Sequence, residues 1–234
     1  MAKRSTRKTK SRPRSPAATP RGSTDRDKAV DALMALLAER PFDEVGLAEI
    51  AGRAGLSLSQ LRATFGSSLA ILAAHIKDID RQVLDAIDPS MAEEPPRERL
   101  FDVLMRRLEV LAPYKTAVRS LMRSASRRPA LALALNAMTL RSQHWMLTAA
   151  GIGTRGPRGA LRVQGAALLF SRVLAVWVKD EEPGLDRTMA VLDRGLASAE
   201  RWSGFVDDLF CIPAAMRRGF RHRRARDFDE SAAA

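Results

Sequence analysis

From Thr24 onward, apolar side chains recur at helical spacing, and no segment alternates as a half-buried strand would: Val30, Leu33, Met34 and Leu37 stand at i, i+3, i+4 and i+7. Proline and glycine interrupt this pattern at Pro41, Pro89, Pro95-Pro96, Pro113, Pro129, the Gly151 to Gly159 stretch and Pro183-Gly184. Between the interruptions the spacing predicts helices at 24–40, 46–54, 57–65, 68–87, 95–112, 115–127, 130–149, 158–180, 185–203 and 205–222. The expectation is an all-α protein of nine or ten helices, without internal repeats. At 234 residues and 46% hydrophobic content the chain can build a real core, which excludes an intrinsically disordered protein.

Two of these helices are unusually short and lie one turn apart. Leu47 to Ala54 is followed by Gly55-Leu56-Ser57 and then by Leu58 to Phe65. Gly55 suits the left-handed residue that ends a helix, and Ser57 with Gln60 three positions later forms a capping box that starts the next. That is the pattern of a helix-turn-helix. Ile50, Leu56, Leu61 and Phe65 are expected to pack inward against the first helix and Phe42. Ser57, Ser59, Gln60, Arg62, Ala63 and Thr64 then fall on or near an outer face that fits a DNA major groove.

On the stretches Ala29 to Phe42, Leu47 to Leu56 and Phe65-Gly66-Ser67, residues 25–87 resemble the N-terminal domain of the tetracycline repressor (TetR) family of transcriptional regulators. The resemblance implies a tetracycline-repressor-like fold. A three-helix DNA-binding domain (23–68) would precede a helical ligand-binding and dimerisation domain (69–204), flanked by a basic arm (1–22) and a basic amphipathic C-terminal segment (205–234). It also implies a ligand-responsive, homodimeric repressor whose partners are double-stranded DNA and a small apolar effector. The DNA-facing residues would be Ser57, Leu58, Ser59, Gln60, Arg62, Ala63, Thr64 and Ser68. Three positions depart from the family pattern: Arg62 stands where tyrosine is common, Leu58 where a polar residue or lysine is frequent, and Ser68 where a phosphate-holding lysine is common. Arg62 can reach a phosphate or a guanine edge, whereas Leu58 and Ala63 offer apolar contact such as to a thymine methyl.

The charge of +12 is unevenly spread. Residues 1–22 carry eight Lys/Arg and no acid, residues 217–234 six Arg against three acids, and residues 23–216 25 bases against 24 acids. Residues 23–68 alone hold five bases and seven acids. Since phosphate neutralisation supplies most DNA affinity, DNA binding by this domain would depend on the arm, lying along the backbone or in the minor groove. The arm, with no large apolar residue after Met1, reads as disordered, and it serves either as a solvating tail or as a phosphate-binding one. It lacks the apolar stretch of a secretory signal and the amphipathic period of a mitochondrial presequence.

In the second domain, Met105, Tyr114, Met122, His144 and Trp145 are candidate effector contacts, within a stretch that also gathers Phe101, Leu108, Met138 and Met146. Methionine adapts to loosely specified apolar ligands, although each of these residues equally suits an ordinary core. Residues 158–180 mix Gly159, Gly165, Ala166, Ala167 and Ala175 with Leu168, Leu169, Phe170, Leu174 and Trp177, and with Leu185, Met189, Leu192 and Leu196 they could form a two-fold four-helix interface. Burial within one chain is the alternative. The segment from Trp177-Val178-Lys179-Asp180 through Thr188, Leu192-Asp193 and Leu196 is also similar in spacing to the coenzyme Q biosynthesis lipid-binding proteins. That resemblance implies a second reading, a lipid- or isoprenoid-binding protein approaching a membrane surface through residues 205–226, where Phe205, Leu209, Ile212, Met216 and Phe220 precede an arginine cluster.

Catalysis has no constellation to support it. His75, His144 and His222 are scattered, no nucleophile elbow or phosphate-cradling loop is present, and Asp207-Asp208 and Glu93-Glu94 point apart as neighbours. No catalytic residue, metal ligand or cofactor is assigned, and a non-enzyme is expected. Cys211 is the single cysteine, so no intrachain disulfide or Cys/His zinc site can form, which suits a reducing, cytoplasmic setting. The longest apolar run, Ala166 to Val178, is 13 residues broken by Arg172, short of the ~20 a membrane span needs.

Overall fold

The computed structural model describes residues 24–199, and among these there are helices and no strand. Four helices form a head: α1 (Asp25–Glu39), α2 (Leu47–Ala54), α3 (Leu58–Thr64) and the first half of α4 (Ser68–Asp85). The rest of α4 continues into a body with α5 (Pro96–Leu111), α6 (Lys115–Arg127), α7 (Pro129–Ala149), α8 (Gly156–Trp177) and α9, helical from 186 to 199. The arm at 1–22 and the segment at 205–234 lie outside the described residues.

Boundaries follow local chemistry. Thr24 caps α1 through the Asp27 amide while the Asp27 carboxylate accepts from the Thr24 amide, so two otherwise unpartnered amides are satisfied reciprocally. Gly55 ends α2 at φ +66°, a conformation that costs a glycine nothing. Helices α5, α7 and α8 each carry proline in the first turn, where the missing N–H has no helical partner to lose. Short 3-10 turns at Phe42–Glu44, Pro89–Glu93 and Ala112–Tyr114 occupy connections that periodicity alone leaves as loops.

The described residues form two hydrophobic clusters, and α4 belongs to both. Ile71 and Leu72 pack with Leu33, Leu36, Leu37, Ile50, Leu56, Leu61 and Phe65 in the head. Ile79 and Val83 pack with Leu104, Leu108, Met146, Phe170, Trp177 and Leu192 in the body. Helix α8 has the length and mean hydropathy of a membrane-crossing segment, yet Val163, Ala166, Ala167, Phe170, Val173 and Trp177 bury its inner face against the body. That face makes up about a third of the apolar stretch, and the opposite side of the helix, with Leu161 and Leu168, is exposed.

The α8 C-terminus is held by α6. Arg119 donates through Nε to the Val178 carbonyl at 3.0 Å, Lys115 donates to the Asp180 carbonyl, and the Lys115 ammonium stands 5.4 Å from the Trp177 ring centroid. Asp180 then accepts from the Thr188 amide at 3.0 Å and its hydroxyl at 2.6 Å, so that it closes the turn into α9 and its carboxyl is held below the ordinary range. Of the residues that carry the similarity to the coenzyme Q proteins, Trp177, Val178, Asp180, Thr188, Leu192 and Leu196 are buried here as packing and capping residues, whereas Lys179 and Asp193 are exposed.

Gly159 lies in the first turn of α8 against the α7–α8 connection, where a Cβ would overlap the backbone of Thr154. Gly159→Ala should therefore lower stability by about 1–3 kcal/mol, as overpacking does against a backbone unable to yield. Urea unfolding of the two proteins measures the difference.

Candidate nucleic-acid interface

Helix α3 buries one side chain of its own, Leu61, and its cap Phe65 completes the anchor. Ser57, Leu58, Ser59, Gln60, Arg62, Ala63 and Thr64 are all exposed, Leu58 at 57%, while Ser68 at the start of α4 is half-buried. The outer face is therefore open along its whole length.

Most of its polar groups already have partners. The Ser57 hydroxyl accepts from the Gln60 amide at 3.2 Å and pairs with the Ser59 hydroxyl at 2.9 Å. Gln60 Oε1 accepts from the Ser57 amide at 2.8 Å, its Nε2 reaches Asp25 at 3.5 Å, and the Thr64 hydroxyl donates to the Gln60 carbonyl at 3.2 Å. The cations of the head are similarly engaged. Arg26 pairs with Asp78 at 2.7 Å, Lys28 with Asp25 at 3.7 Å, Arg40 with Glu49 at 2.8 Å and Arg53 with Glu39 at 2.8 Å. Of the five cations in residues 24–68, Arg62 is the one without a carboxylate partner among the described residues. Its guanidinium lies over Gly66, where a Cβ would stand 3.7 Å from Nη1.

The head is fastened to the body at two places. Ser120 of α6 donates to the Arg40 carbonyl at 3.1 Å, and Ser124 accepts from the Phe42 amide at 3.1 Å, both on the α1–α2 connection. On the other side Arg26 of α1 bridges to Asp78 and, at 3.3 Å, to the Ala74 carbonyl of α4. A shift of α4 or α6 therefore acts directly on the elements that carry α3.

Inside the body a polar group crosses from α4 to α5 and α7. Arg107 pairs with Asp80, which also accepts from the Ser142 hydroxyl at 2.7 Å, and the guanidinium stands 5.2 Å from the Phe170 ring centroid. His75 is buried edge-on to Tyr114, with ring centroids 4.5 Å apart. The effector candidates divide between inside and outside. Met105, Tyr114 and Met122 are half-buried against the body core, whereas His144 and Trp145 are exposed, Trp145 at 56%. The residues that α7 turns inward are their neighbours Ser142, Gln143, Met146 and Leu147, because the helix buries the face one position off the Trp145 phase. No group of ligands suited to a metal ion occurs among the described residues.

Burial pushes the His75 imidazole down to about 4, with Arg107 adding to the shift and Asp78 opposing it. The folded state thus binds fewer protons than the unfolded one between that value and the ordinary 6.5. Stability attributable to this ring is intact above about pH 6.5 and is lost as pH falls toward about 4, by up to about 1.4 kcal/mol per pH unit. His75→Phe should flatten that slope in denaturant midpoints measured from pH 7 to pH 4.

No family model and no curated protein matches this sequence. Solved structures do match. A TetR transcriptional regulator from Nitrosomonas europaea superposes with a TM-score of 0.59 at 22% identity, over 75% of this chain and 97% of that one. A putative TetR-family regulator from Syntrophomonas wolfei gives 0.55 at 15% identity, over 76% and 94%, and one from Streptomyces coelicolor 0.53 at 19%, over 79% and 83%. An open helix-turn-helix carried on α4, with an all-helical body behind it, is thus the tetracycline-repressor-like fold of those transcriptional regulators.

Proposed function

We propose that this protein is a ligand-responsive, DNA-binding transcriptional regulator acting as a homodimer in the cytoplasm. The observation that carries the reading is the outer face of α3, uncovered by any described residue, on which Arg62 alone among the head's cations has no carboxylate partner among the described residues. Base reading falls chiefly to Arg62 against a guanine edge, flanked by Leu58 and Ala63 against thymine methyls, because Ser57, Gln60 and Thr64 are engaged in holding α3 together. Residues 1–22 supply the phosphate-neutralising charge that the head lacks. Effector binding in the body would bias α4 and α6, whose contacts to Arg26, Arg40 and Phe42 set the angle of the head.

Binding to the duplex flanking its own gene, measured across a salt series, tests the DNA reading. The full chain should lose affinity steeply with salt, a chain starting at Thr24 should show a shallower slope, and Arg62→Ala should cost about 1–3 kcal/mol of sequence discrimination. Absent or salt-independent binding by both lengths removes the proposal.

The dimer surface we assign to α8. Leu161, Gly165, Leu168 and Ala175 form an exposed stripe on it, with Leu161 and Leu168 each 54% exposed. Such a stripe lets a second copy approach closely. Leu161→Glu combined with Leu168→Glu should convert the dimer to a monomer in sedimentation velocity while leaving the helical signal in circular dichroism intact.

A further inference from the structure

Residues 110–179 hold eleven Lys/Arg and no Asp or Glu, so the chain from α6 through α8 contributes cations alone while the acids lie before and after it. Where those cations stand relative to the head decides what they can neutralise. Lys115 and Arg119, in the first half of α6, are spent on the Asp180 and Val178 carbonyls. Arg123 and Arg127, in its second half, are exposed and have no side-chain hydrogen-bond or ion-pair partner among the described residues.

Helical spacing places the two arginines. Arg123 comes three residues after Ser120, and Arg127 three after Ser124 and seven after Ser120, so both share the side of α6 that carries the serines. Those serines hold the α1–α2 connection, through the Arg40 carbonyl at 3.1 Å and the Phe42 amide at 3.1 Å. Arg128 continues the same end of α6 onto that connection and pairs with Asp43 at 2.7 Å. With Asp43 matched, Glu44 is the one acid of the turn Phe42–Glu44 set against Arg123 and Arg127. A positive surplus therefore stands beside the chain entering α2.

In a helix-turn-helix the second helix enters the groove while the first crosses the phosphate backbone. A duplex seated on the outer face of α3 thus carries its backbone past α2 and the connection that leads into it. The head has little charge with which to meet those phosphates, because Arg26, Lys28, Arg40 and Arg53 are paired with carboxylates. A guanidinium on a long stem suits a phosphate, which it can meet with one or two N–H donors.

We propose that Arg123 and Arg127 of α6 make a second, sequence-independent DNA contact on the phosphate backbone beside α2, so that the duplex is held by the body as well as by the head. The inference rests on the DNA reading above and adds a source of phosphate-neutralising charge besides residues 1–22. It also couples grip to geometry, since one displacement of α6 would move both the serines that position the head and the arginines that hold the backbone.

Fluorescence anisotropy of the full chain with the duplex flanking its own gene, and with a scrambled duplex of the same composition, each over a KCl series, tests it. Arg123→Ala combined with Arg127→Ala should lower the slope of log affinity against log salt by about 1–2 and weaken both duplexes by a common factor of about ten, leaving discrimination intact. Arg123→Lys combined with Arg127→Lys should restore the slope, because a phosphate requires charge rather than a planar fork. Arg155→Ala, which removes an exposed cation at the opposite end of α7, should leave it unchanged. A slope unmoved by the double alanine variant, a slope reduced as much by Arg155→Ala, or a loss of discrimination matching that of Arg62→Ala would overturn the proposal and leave the DNA reading standing. Vesicles of phosphatidylserine and phosphatidylcholine bound by the unaltered chain but not by the double variant, with the duplex slope unmoved, would assign the arginines to a lipid surface instead. Absent duplex binding by the unaltered chain would overturn both readings.

Discussion

Helix α4 is the element on which the rest of the structure depends, because its two halves are buried in different cores. Ile71 and Leu72 belong to the head, Ile79 and Val83 to the body, and the turn between them carries His75 and Asp78. A helix of 18 residues shared in this way is a rigid lever, since close-packed interiors respond to displacement by moving whole elements. The Arg26 to Asp78 bridge and the α6 hydroxyls on Arg40 and Phe42 fix where the head stands relative to that lever.

The polar layer at this junction is the second organising feature. Buried charge is costly unless paired, and the Asp80 to Arg107 contact with the Ser142 hydroxyl meets that condition. Tyr114 packs against both clusters and edges His75, so the boundary between head and body is marked by polar and aromatic groups within an otherwise aliphatic interior.

Much of the fold was legible in the sequence because its helix ends use strong local signals. Thr24, Gly55 and Ser57 with Gln60 each perform the capping role their spacing implies, and Pro96, Pro129 and Pro157 fall in the first turns of their helices. The inward set Ile50, Leu56, Leu61 and Phe65 was equally readable, since the short helices leave one possible phase. Helix α7 was different. Its apolar residues run around the whole cylinder, so periodicity does not select a face, and Trp145 with His144 turned outward while Ser142 and Gln143 turned in. Arg107 gave no local sign of burial either, because its partner Asp80 is 27 positions away and only the tertiary fold brings them together.

Gln60 closes the start of a helix and also lies on that helix's open face, so two demands meet in one side chain. Its carboxamide is spent on the Ser57 amide, which stabilises the first turn of α3. Exchanging this residue for anything but glutamate, which fills the same role at the start of α2 through Glu49 and the Gly46 amide, loosens the element that presents it. Paralogues diverging from such an ancestor would retain glutamine or glutamate here and diversify instead at Leu58, Arg62 and Ala63, whose side chains take no part in that cap.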